Sequence, residues 1–127
     1  MHVEPRLLNP MNERNTKYLV ETYAPLYERC PVFECLDGWF DIIDELSKQI
    51  HYIILKTECT CRVSQVKEKF GTLRYYMTTS TDEMHKYIEI AYRKSSVTCE
   101  ACGEPGKLVR KAWLSTYCNR CAKANDS

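Results

Sequence analysis

Cys99, Cys102, Cys118 and Cys121 stand within "TCEACGEPGKLVRKAWLSTYCNRCAK" as two Cys-x2-Cys pairs with 15 residues between them. A Cys-x2-Cys turn lets two thiolates reach one ion, and four thiolates satisfy the tetrahedral preference of Zn²⁺. The intervening "KLVRKAWLSTY" reads as a short hairpin, Leu108 to Arg110 returning through Trp113 to Tyr117, which carries the second pair back beside the first. The pattern predicts one structural zinc bound by these four residues. A catalytic zinc keeps a position for water and usually recruits His or a carboxylate, whereas four thiolates close the shell. No His follows His85.

The other candidates are weaker. Cys30, Cys35, Cys59 and Cys61 could form a second four-thiolate zinc site, but their spacings fit it poorly, and small buried thiols are the expected state. The segment "QVKEKFGTLR" sets Lys67, Lys69 and Arg74 around Phe70. Cations beside an aromatic ring suit a phosphate and base or an acidic protein surface. The competing expectation is an ordinary charged turn with Phe70 folded inward as an apolar anchor. Asp37, Asp41, Asp44 and Glu45 read as the solvated face of an amphipathic helix. His2, His51 and His85 are scattered, and no nucleophile-base pair or phosphate loop is present, so no catalytic residue is assigned and a non-enzyme is expected.

These residues need elements to hold them. Tyr18, Leu19, Val20, Tyr23, Leu26 and Tyr27 suggest a first helix that ends near Pro25. Trp39, Ile42, Ile43, Leu46, Ile50, Ile53 and Ile54 recur at three- and four-residue steps, a buried helical stripe, with Asp37 as its expected N-cap. Strands are expected near 61–68 and 72–79, joined at Gly71. Ser80 and Glu83 suggest a capping box opening a helix that runs to about Ser95, with Met84, Tyr87, Ile88, Ala91 and Tyr92 on its apolar side. The fold class is therefore α+β: helices packed on a β-hairpin over 1–97, followed by a zinc-ribbon or treble-clef-like module over 98–127.

The 127 residues are 44% hydrophobic and 28% charged, the composition of one compact domain with a small appendage. The opening "MHVEPRLLNPMNERNTKYLV" lacks the basic start and apolar run of a secretory signal, and no stretch of ~18 apolar residues occurs. A cytoplasmic protein with reduced thiols and no membrane partner is the expectation, which favours metal ligation over disulfides. The net charge of +1 conceals −4 over 1–61, +2 over 62–93 and +3 over 94–127. Four thiolates with one Zn²⁺ contribute about −2, so the basic surplus of the tail largely disappears. That weakens a nucleic-acid reading based on bulk charge.

The blocks "FECLDGWFDIIDEL", "QVKEKFGTLRYY", "TCEACGEPGKL" and "WLSTYCNRCA" resemble a family of small proteins encoded by phages, prophages and their bacterial hosts. The resemblance runs from about Tyr27 to Ala122. In that family the last pair is often Cys-x2-His, two alternative zinc ligands at the position of Cys121, and Gly is frequent where this chain has Leu36. The resemblance implies phage origin and a zinc module but no established activity. The functional expectation is a non-enzymatic protein that binds a host or phage protein, a host defence factor included. The alternative is a nucleic-acid-binding accessory protein.

Overall fold

The computed structural model describes residues 11–110 and 113–124. Among the described residues, five helical segments and four strands make an α+β fold: α1 (Glu13–Thr22), a 3₁₀ turn (Asp37–Trp39), α2 (Phe40–Thr57), β1 (Val63–Lys69), β2 (Thr72–Met77), α3 (Asp82–Ser95), β3 (Lys107–Arg110), β4 (Leu114–Tyr117) and α4 (Asn119–Ala124). The strands form two separate antiparallel ribbons, β1 with β2 and β3 with β4.

α2 is the central element. Its buried residues Ile43, Leu46, Ser47, Ile50, Ile53 and Ile54 follow the expected stripe, and Trp39 is wholly buried just before it. Glu58, in the left-handed conformation at φ 57°, ends the helix by donating its amide to Ile54 O. α3 lies antiparallel beside α2, as the ion pair between Lys56 near one end and Glu83 near the other shows. The inner face of the β1–β2 hairpin closes the core with Val66, Leu73 and Tyr75. Tyr75 shares a buried hydroxyl network with Tyr27 and Ser47, which keeps three polar atoms bonded without water.

Two capping expectations are corrected. Asp37 does not cap α2; its Oδ1 accepts from Asn12 N at 2.9 Å and Asn15 Nδ2 at 3.0 Å, joining the start of α1 to the segment before α2. Thr81, not Ser80, caps α3 by accepting from Met84 N, while Ser80 Oγ lies 2.7 Å from His85 Nε2. The first helix ends at Thr22, short of Pro25, and the chain continues through turns that carry Leu26 and Tyr27 into the core. No helix among the described residues is long and apolar enough to cross a membrane.

Candidate metal centre and its neighbouring surface

The hairpin β3–β4 pairs Lys107 with Tyr117 and Arg110 with Leu114, which returns the chain to the first cysteine pair as the spacing predicts. The Sγ atoms of Cys99, Cys102, Cys118 and Cys121 all lie within 4.8 Å of one another, with Cys102 and Cys118 at 3.7 Å. Four sulfurs so gathered can hold one metal ion. Cys99 is buried at the base and Cys102 lies at the exposed rim. The first knuckle is closed by Cys99 N to Glu104 O (2.7 Å) and Gly103 N to Cys99 O (2.9 Å).

The local environment acts on the sulfurs in opposite directions. The Cys121 amide donates to Cys118 Sγ at 3.4 Å, and this bond is the main reason the Cys118 thiol falls to about 7. Burial pushes the Cys121 thiol up to about 12 and raises that of Cys99. A cation at the centre reverses that penalty, because the ligand form of each cysteine is the thiolate. Arg120 stands beside Cys102 and is held more firmly charged by it.

The centre is tied to the first hundred residues at several points. Trp39 Nε1 donates to Thr98 O at 2.9 Å, Gly38 N donates to Glu100 O at 2.7 Å, and Leu36 N donates to Glu100 Oε2 at 3.1 Å. A Cβ on Gly38 would collide with the carbonyl oxygens of Cys99 and Glu100, so only glycine permits this approach. On the other side Thr116 Oγ1 donates to Gly71 O at 2.6 Å, which fastens β4 to the tip of the first hairpin. The "LDGW" residues and Gly71 thus share a purpose that no linear spacing reveals: they receive the segment that carries the four clustered cysteines.

Cys30 and Cys35 are buried in the core and Cys61 is buried beside Thr79, whose hydroxyl donates to its sulfur at 3.4 Å. Among the described residues, the cluster at Cys99, Cys102, Cys118 and Cys121 is the one group of three or more such side chains placed to hold a metal. The second site considered from sequence is not assembled. Its four cysteines belong to the packed segments before α2 and around the start of β1.

The hairpin tip departs from the inward-folded expectation. Phe70 is 62% exposed and has φ 53°, and Gly71 follows at φ 83°. Positive φ at both central residues is the demand of a tight two-residue hairpin turn. Glu68 Oε2 accepts from Gly71 N at 2.6 Å and stabilises that turn from within. Lys67 pairs directly across the ribbon with Arg74, and Lys69 with Thr72, so the three cations share the outer face. His51 rests against the edge of Tyr23, far in sequence from either feature, and His2 lies outside the described residues. No protein-family model, curated protein or solved structure matches this chain.

Proposed function

We propose that the chain is a non-enzymatic, zinc-stapled binding protein that presents the β1–β2 hairpin to a macromolecular partner. The observation that carries this reading is Phe70, a large aromatic residue held in the left-handed region with most of its surface in water. That backbone conformation costs an L-residue about 1–2 kcal/mol, and an exposed ring returns little burial energy. A strained, exposed aromatic beside Lys69 is what a contact surface requires and what folding does not. Phe70 suits the pocket of a host or phage protein, a defence factor included, and equally the face of a nucleobase.

The metal is assigned as zinc from the donor set. Zn–S bonds of about 2.3 Å in a tetrahedron separate the sulfurs by about 3.8 Å, close to the 3.7 Å between Cys102 and Cys118. A Cys knuckle, a hairpin and a short helix carrying Cys121 in its first turn support a treble-clef-like reading of the module. The closed thiolate shell supports a structural role, with Lewis-acid chemistry left no free position.

Retention from host lysate, before and after nuclease treatment, tests the reading. The wild-type chain should hold a partner that Phe70→Asn releases, because Asn tolerates the same φ without the ring. Identical retained sets for both proteins would remove the hairpin tip as the contact.

A further inference from the structure

We propose that the outer face of the β1–β2 hairpin is a binding site for single-stranded nucleic acid; this rests on the reading of the hairpin as the contact element and names its ligand. Register places Gln65, Lys67 and Lys69 on β1 opposite Tyr76, Arg74 and Thr72 on β2. Val66, Glu68, Leu73 and Tyr75 alternate with them and are buried, so the first set faces away from the core. The face is built from cations, small polar groups and aromatic rings, with no aliphatic side chain at its centre; one carboxylate, that of Glu34 bridged to the open edge of β1, accepts from Gln65 Nε2 at 2.9 Å.

Three features set this face apart from an ordinary solvated ribbon. Lys67 and Arg74 are directly opposed, a like-charge pair that weakens the ribbon unless an anion lies between or above them. Neither they nor Lys69 enter an ion pair among the described residues. Glu68, the acidic residue of the same strand, turns inward and is engaged at Gly71 N. Arg74 is also pre-positioned: its guanidinium lies 5.6 Å from the centre of the Tyr92 ring, and its Nε is buried without an acceptor. A planar cation held over a ring and free of any carboxylate partner is suited to a phosphate.

The aromatic residues decide between anionic partners. Tyr76 is 44% exposed on the same face as Arg74, and Phe70 is exposed at its end, 5.5 Å from Lys69 Nζ. An acidic polypeptide would use the cations and leave these rings without partners, whereas bases stack on them while phosphates meet the cations. A duplex hides its base faces and has no use for the rings. The weak net charge of the chain does not oppose this assignment, because the local field of a segregated face governs encounter.

The zinc-loaded full chain, titrated against fluorescein-labelled dT20, rU20, a 20-base-pair duplex and polyglutamate, tests the assignment by anisotropy. Single strands should bind most tightly. Three phosphate contacts predict an affinity loss of roughly 20-fold between 50 and 200 mM salt. Tyr76→Leu, which keeps the charge, should weaken single-strand binding by about 5- to 150-fold, and Phe70→Asn should weaken it at an intact turn. Arg74→Gln should weaken binding and flatten the salt dependence. No binding of either single strand at 50 mM salt, tighter binding of duplex, or polyglutamate binding equal to dT20 and insensitive to Tyr76→Leu would each overturn the assignment. Should it fail while Phe70→Asn still releases a nuclease-resistant partner from lysate, the hairpin contact stands and its ligand is protein.

Discussion

Single residues carry opposite demands in this protein. Phe70 occupies a conformation that Asn or Gly accepts more readily, so Phe70→Asn should raise stability by about 1 kcal/mol while reducing partner binding. A higher urea midpoint at unchanged slope would show the gain; a lower midpoint would mean that the ring contributes to the fold. Gly38 shows the reverse case, a residue wholly committed to structure. Its α-carbon sits against the Cys99 and Glu100 carbonyls, and Gly38→Ala should cost about 1–3 kcal/mol by overpacking and weaken metal retention in a chelator competition. Ile50, fully buried in the α2 stripe, should cost about 2–5 kcal/mol when cut to Ala, with metal content unchanged.

The elements communicate through few bonds, and those bonds set what metal removal does. β4 holds the hairpin tip through Thr116 Oγ1 and Gly71 O. Thr116→Val should therefore cost about 1 kcal/mol and accelerate hydrogen exchange at the tip amides without lowering the zinc content. Chelation should expose the amides of β3, β4 and the tip together. Tip amides that remain protected after chelation would show that Glu68 alone maintains the turn. Element boundaries also show where local pattern fails. Asp37 has the right chemistry for an N-cap, yet its carboxylate serves the start of α1, which lies more than 20 residues earlier in the chain and close by in the fold.

At the scale of the whole molecule, one metal per chain is expected by native mass spectrometry, and two would restore a site at Cys30, Cys35, Cys59 and Cys61. Metal that binds only the folded chain raises its stability by about 2.7 kcal/mol at a free concentration one hundred times the dissociation constant, so the melting temperature should rise with zinc. The sign of the pH effect follows from the ligand form. Thiolates bind the ion, protons compete with it, and the stabilisation present at neutral pH is lost as pH falls. A melting temperature independent of both zinc and acidification down to about pH 5 would contradict a structural metal.

Sequence by itself determined the features that repeat along the chain. The α2 stripe, the alternation of Leu73 and Tyr75, the turn at Gly71 and the two Cys-x2-Cys pairs are local patterns set by helix pitch, strand pleat and the short reach of a Cys-x2-Cys turn. Tertiary structure alone decided the rest. It turned Phe70 outward, because the hairpin turn fixes the backbone at that residue regardless of its hydrophobicity. It placed Lys67 opposite Arg74 across the ribbon, and brought Gly38 and Gly71 against the cysteine-bearing segment. Bulk charge could not reveal that face, because a net charge sums over the entire surface while recognition depends on which charges the pleat sets side by side.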